Sequence, residues 1–336
     1  MTFVSTTGTS RAAAPGPTGT LRMTPGRWLA LAIGVPVALT LIGWTGFSLV
    51  TSFARGSYTF SDEIPVQDHQ VALHMNSGNV TLREGSGGST AWLTGVVQYG
   101  LVRPGISEYT SPGGGTDLDV NCDGIAAGNC GVNATLDVPA QIPVALWSNG
   151  GDITASGFSS GVTLWAAGGN VSASNLGGNL RLNTGGGDLT GTGLKGQIQI
   201  TAEGGNVSAS YLDSTSGPVQ INTGGGDLTA NGIEGDVSFT TYGGNVNGDG
   251  LVSQQAIIQS GGGDVALAFS QPPQNVQITA YGGNVTLILP PAGTGYDIST
   301  TADGGNTNIA QSLQNGTSPD KITINSGGGD ITVSQS

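Results

Sequence analysis

Basic residues are nearly missing from this chain: nine Lys and Arg stand among 336 residues, against 22 Asp and Glu. Charged residues make up 9%, where a soluble protein usually carries roughly 25%. A net charge of -13 argues against a nucleic-acid partner, because phosphate binding needs clustered Lys and Arg. Two Cys and two His leave little material for a transition-metal site. No Gly-x-Ser-x-Gly, His-Glu-x-x-His or Walker sequence occurs. Within 146–336 the only basic residues are Arg181, Lys195 and Lys321, too few for a polysaccharide-cleaving solenoid that pairs a base with Asp-held Ca²⁺. His69 and His74, five apart, carry no pattern that assigns them a role. These absences point away from an enzyme and imply no cofactor.

The few charges are unevenly placed. Residues 1–55 hold Arg11, Arg22, Arg27 and Arg55 and no acid. Between this segment and the acidic remainder lies an uncharged stretch, 28–53. Its centre, Leu29 to Val50, would make about 33 Å of helix, enough to cross a bilayer. The Arg asymmetry keeps the N-terminus inside. The expectation is a disordered cytoplasmic tail, 1–27, one transmembrane helix, 28–53, and everything after it outside the cytoplasm. A cleaved signal peptide is the alternative, with Ser52-Phe53-Ala54 resembling a cleavage site, although signal h-regions are usually shorter.

What is abundant is Gly, 60 residues of it, in register rather than in a collagen pattern. A Gly-Gly pair followed by Asp or Asn recurs at Asp152, Asn170, Asp188, Asn206, Asp227, Asn245, Asp264, Asn284, Asn306 and Asp330. Consecutive corners are 18 to 24 residues apart. An apolar residue follows each corner, as at Ile153, Val171 and Leu189; small residues such as Ala155, Ala173 and Gly191 come next, then large ones such as Leu176, Leu194 and Leu212. A second segment alternates apolar and polar, as in Leu180/Leu182 and Ile198/Ile200, which is the period of a half-buried strand. Each unit is therefore two short strands and two turns. It buries its apolar face only by stacking on its neighbours.

The expected fold is all-β: a right-handed, single-stranded β-solenoid of about 18–20-residue rungs over 146–336, preceded by a less periodic β region, 58–145. A 36-residue rung is the rival geometry. Gly at the corners is expected to supply positive φ. Asp and Asn alternate through the first eight corners, which spaces like charges apart. The strand Ile331-Thr332-Val333 near the end is expected to leave an open edge, giving weak end-to-end self-association.

Several motifs carry alternative readings. Asp152, Asp188, Asp227 and Asp264 are Ca²⁺ candidates, because Gly-Gly-Gly-Asp resembles the nonapeptide of Ca²⁺-binding β-rolls. That motif repeats every nine residues, however, so turn-forming Asp is the plainer reading. Asn79, Asn170, Asn206 and Asn284 match the glycosylation sequon but are simply repeat corners. Tyr242 and Tyr281 share a position and could stack on sugars. Cys122 and Cys130 enclose a short loop, and outside the cytoplasm they are expected to form a disulfide, with two reduced thiols as the alternative.

The motifs Asn76-Ser77-Gly78-Asn79-Val80-Thr81, Cys122…Cys130-Gly131-Val132 and Val138-Pro139, with the Gly-Gly-Gly-Asp-Leu-Thr and Gly-Gly-Asn-Val-Ser units, resemble the bacterial "putative adhesin" family of β-strand-repeat proteins of unknown function. The resemblance covers roughly 58–336. It implies adhesion, often behind a membrane helix, and brings no catalytic or binding residue. The expected function is a non-enzymatic, membrane-anchored adhesion, scaffold or binding module facing a cell-wall polymer or envelope protein. The alternative is an envelope-stress regulator acting through a signalling partner; a polysaccharide-active enzyme is a minor third.

Overall fold

The structure is a computed structural model that describes residues 32–42, 44, 56–66, 70–85, 88–100, 103, 105–110, 116–121, 130–214 and 216–336. The chain divides into two units, 1–53 and 54–336. In the first, 32–42 is helical. Among the described residues no helix is long and apolar enough to cross a membrane. Much of the expected span 28–53, and the whole tail 1–27, lie outside the described residues.

The second unit is a β-solenoid. On one face run Val162–Ala166, Gly177–Thr184 and Lys195–Ala202, each parallel to the next. On the other run Val171–Ser174, Leu189–Thr192 and Val207–Asp213, again parallel. From Val144–Ser148 to Val285–Leu289 each strand pairs with the strand two places on, so one rung is one sequence unit and the 36-residue rung is excluded. Register is strict: Leu182 lies against Leu164 and Ile200, and Ala173 against Ala155 and Gly191. Position-equivalent apolar residues therefore form columns. Leu176, Leu194 and Leu212 are buried in one of them, beside Ile233 and Leu251. Each such side chain contributes about 1.5–3 kcal/mol by leaving water. Alternate residues such as Thr190 and Thr192 face outward and are exposed.

Parallel stacking extends into the region that reads as irregular in the sequence. Val71–Met75 and Gly78–Glu84 form a rung that stacks on Val144–Ser148 and Ile153–Ser156. Thr116–Asn121 and Gly131–Val138 stack on its other side. Gly105–Thr110 then pairs antiparallel with Thr116–Asn121, and Thr90–Tyr99 with Gly131–Val138, so this end of the stack is covered. Gly56–Pro65 adds antiparallel to Thr90–Tyr99.

At the opposite end the rungs do not follow chain order. Lys321–Ser326 pairs with Asn275–Ala280 on one side and Asp297–Ala302 on the other. Ile331–Gln335 likewise sits between Val285–Leu289 and Thr307–Ile309. The last rung of the chain is thus inserted before the one that precedes it. The expected open edge at Ile331-Thr332-Val333 is corrected: Ile331 and Val333 are buried. The end rung is Asp297–Ala302 with Thr307–Ile309. Tyr296 pins the crossing. Its backbone N–H donates to the Leu313 carbonyl, Asn315 N–H donates to its own carbonyl, and its buried hydroxyl donates to the Pro290 carbonyl at 2.8 Å. Burial, reinforced by Asp320, pushes the phenol up to about 12.

Candidate functional site

The Gly-Gly corners stack into one ladder. Asn170 N–H donates to Asp152 Oδ1, Asp188 N–H to Asn170 Oδ1, and Asn206 N–H to Asp188 Oδ1, each at 2.8 Å. The series continues through Asp227, Asn245, Asp264 and Asn284. It begins at Asn79, which accepts from Asp152 N–H. At the far end Asp330 donates to Asn284 and Asn306 to Asp330. In chain order two Asn corners, Asn284 and Asn306, fall together. In the stack Asp330 lies between them, so alternation is unbroken from Asn79 to Asn306. A carboxylate only accepts, whereas an amide both donates and accepts. The side-chain amides of Asn206, Asn245, Asn284 and Asn306 accordingly donate to the neighbouring carboxylates at 3.1–3.4 Å.

This ladder decides several expectations. Asp152, Asp188, Asp227 and Asp264 are not brought together: an Asn corner separates each from the next, about 10 Å at the usual strand spacing. Each already accepts a backbone N–H. Among the described residues no group of three His, Cys, Asp or Glu could hold a metal ion. The sequon residues Asn79, Asn170, Asn206 and Asn284 are ladder members.

The corner glycines work differently from expectation. None of Gly169, Gly187 or Gly205 has positive φ. A methyl at Gly187 would instead overlap the Gly169 carbonyl, so close approach of stacked corners demands Gly. Apart from Gly78 (111°) before Asn79, positive φ lies away from the ladder, as at Gly193 (65°), Gly232 (62°) and Gly250 (66°) on the opposite corner. Asn175 (52°) and Tyr211 (56°) occupy the same column. Asn tolerates the left-handed region; a bulky aromatic there is strained. Tyr211 is nonetheless 73% exposed, its ring lying over Gly232.

That opposite corner also varies in length. Ile233 to Val237 is a step of four residues and Leu251 to Ala256 a step of five, but Leu212 to Val219 and Phe269 to Val276 are steps of seven. Two longer corners therefore flank two shorter ones. Between them is a cleft of about 450 Å³ with Asp236, Ser253 and Gln254 on its floor and Ser214, Gln271 and Gln274 on its walls. Across the wall at Ser216 a second hollow, of about 420 Å³, is lined by Asn179, Lys195, Gln197 and Asp213. Lys195 pairs with Asp213 at 3.7 Å, while Arg181 donates to Gln199 at 3.1 Å. Repeat counting missed the cleft; the signal was present as the unequal unit lengths.

The remaining candidates are scattered. His74 stacks on Trp147, rings 4.5 Å apart and 2° from parallel; His69 lies outside the described residues. Tyr242 and Tyr281 are both exposed, in corner positions two rungs apart with Gly261 between. Cys130 is half-buried and no described cysteine is a free thiol; Cys122 lies outside the described residues.

The Toastrack DUF4097 family model matches residues 64–336, and the chain belongs to that family. The resemblance to a β-strand-repeat family of unknown function is borne out. No curated protein matches the chain. Among solved structures, a putative adhesin from Bacteroides fragilis NCTC 9343 is 14% identical over 84% of this chain and 97% of its own, with a TM-score of 0.39. A putative lipid binding protein from Parabacteroides distasonis ATCC 8503 is 12% identical over 82% and 96%, with a TM-score of 0.36. A putative cell adhesion protein from Clostridium sporogenes ATCC 15579 is 12% identical over 83% and 100%, with a TM-score of 0.24.

Proposed function

We propose that the chain is a non-enzymatic binding module of the cell envelope, tethered through 28–53 with its solenoid outside the cytoplasm. One observation carries the binding reading. The corner Asp side chains are spent on the ladder, and the strands between the corners offer outward mainly rows of hydroxyl and amide groups on a rigid frame. Such a frame displays contacts; it does not assemble a reacting pair. The cleft at the long corners holds a single carboxylate, Asp236, whereas glycoside hydrolysis ordinarily uses two. The tether rests on the uncharged run and the Arg asymmetry.

Pull-down with the full chain against cell-wall fractions and membrane extracts tests the binding reading. Specific retention of an envelope polymer or protein is expected; retention of nothing overturns it. A reporter active only outside the cytoplasm, fused after Ser336, should be active, and activity of a cytoplasm-only reporter there would overturn the orientation. On the outer side Cys122 and Cys130 should be linked within one chain in mass spectra taken without reduction. Free thiols would contradict that.

A further inference from the structure

We propose that the cleft between the two long corners binds a neutral, hydroxyl-rich saccharide chain, with Tyr211 supplying a ring on which a sugar face rests. The proposal rests on the binding reading above and adds the site and the ligand chemistry. The cleft is a consequence of rung length: two corners with steps of seven residues stand out on either side of corners with steps of four and five. Its mouth therefore spans three rung steps, roughly 14 Å at the spacing of paired strands. That suits a short run of a chain ligand lying along the solenoid axis.

The lining selects the ligand. The side-chain amides of Gln254, Gln271 and Gln274 are exposed and form no hydrogen bond among the described residues. An amide donates and accepts, as a sugar hydroxyl does, so the two groups pair in either sense. Ser214 and Ser253 hydroxyls donate to the Gly217 and Gln255 carbonyls and keep their lone pairs for incoming hydroxyl donors. Asp236 Oδ1 accepts Gln255 N–H at 2.9 Å, which fixes the carboxylate with Oδ2 still able to accept. The cleft contains no cation, so a polyanion finds no partner there and meets Asp236 instead. Few of the lining groups are apolar, which disfavours a lipid or a hydrophobic peptide.

Tyr211 is the independent observation. Its column otherwise holds Gly or Asn, the residues that accept positive φ without strain. Packing does not explain the ring, because most of it faces solvent. It lies outside the residues that line the cleft, three residues before Ser214 on one rung and beside Gly232, four residues before Asp236, on the next. Strain at an exposed aromatic beside a polar cleft is the pattern expected of a site kept for contact rather than stability. Its flat apolar face complements the C–H face of a sugar, while the amides take the hydroxyls.

The test is calorimetric titration of the full chain with cellohexaose, chitohexaose, mannohexaose and maltohexaose, and with hexagalacturonate as the charged control. At least one neutral hexasaccharide should bind and hexagalacturonate should not. Gln254→Leu and Tyr211→Gly should each weaken that binding by about tenfold or more. Tyr211→Gly should at the same time raise Tm, because it relieves the left-handed strain; a merely structural Tyr211 would lower both. Failure of every neutral hexasaccharide to bind, binding of hexagalacturonate alone, or unchanged affinity in Gln254→Leu would each overturn the assignment. The pull-down separates the two readings. If Gln254→Leu and the wild type retain the same envelope polymer or protein while no hexasaccharide binds, the binding module stands and this cleft is not its site. If nothing is retained either, both fall.

Discussion

At Leu194 and Thr192 the solenoid's logic is visible in neighbouring residues of opposite fate. Leu194 is fully buried in the column with Leu176 and Leu212, and Thr192 is exposed two residues away. Leu194→Ala should cost about 2–5 kcal/mol in chemical denaturation, because the stacked rungs cannot close over the cavity. Thr192→Ala should stay within about 0.5 kcal/mol. The reverse order would mean the register is wrong. The corner ladder gives a charge prediction. Asn206→Asp removes an amide that donates to Asp188 and sets three carboxylates, at 188, 206 and 227, in successive rungs. The new acid's folded-state pKa is raised by its neighbours, so the folded state holds its proton more tightly than the unfolded chain. The variant's deficit in Tm against the wild type should therefore be absent at pH 3 and grow as pH rises through the carboxylate range. A deficit independent of pH would contradict a charge-spacing role for Asn. The ladder's members were legible in the sequence; the reason for their glycines was not. Gly-Gly-Asp reads as a positive-φ turn, yet Gly187 is required by the Gly169 carbonyl of the next rung, which no single unit reveals.

Strand pairs were readable wherever alternation was clean, as in Leu180/Leu182, and lost where hairpins and bulky insertions broke it. Val71–Met75 and Gly78–Glu84 make a full rung, but the sequence carries that rung's stacking partners far away, at Thr116–Asn121 and Ile153–Ser156. The inserted final rung was hidden for the same reason: strand order is set by tertiary contacts, and local pattern is blind to it. One trace did exist, the Asn284, Asn306, Asp330 order that breaks the alternation and is repaired by the insertion. Tyr296 holds this end, and its titration supplies a test. Its phenol stands near 12 in the folded protein against about 10 when unfolded, so the folded state retains the proton more tightly. Its contribution is complete below pH 10 and lost as pH rises toward 12. In denaturation at stepped alkaline pH, wild-type stability should fall across that window more steeply than that of Tyr296→Phe. At pH 7 the variant should lose about 0.5–1.5 kcal/mol with the bond to the Pro290 carbonyl. Parallel pH profiles would show that Tyr296 is solvated.

Over the unit 54–336 as a whole, the repeats fixed the class of fold, a β-solenoid with one rung per unit, because each Gly-Gly corner marks a turn and each alternating segment a face. The cleft needed more than the repeat: its walls exist only because the Asn206–Asp227 and Asp264–Asn284 units are longer than those between them, and length irregularity becomes a shape only when rungs are stacked. The stack order is the claim on which the ladder, the covered C-terminal strand and the position of the end rung all depend. Disulfide trapping measures it directly. Thr286 and Thr332 are cross-strand partners, as are Thr332 and Asn308, whereas Thr286 and Asn308 are two rungs apart. Adjacent strands bring Cα atoms to about 4.8 Å, within disulfide reach, and two rungs place them near 10 Å, beyond it. Oxidation of Thr286→Cys/Thr332→Cys should form an intramolecular bridge, and Thr286→Cys/Asn308→Cys should not. A bridge in the second pair and none in the first would put the rungs in chain order and contradict the account.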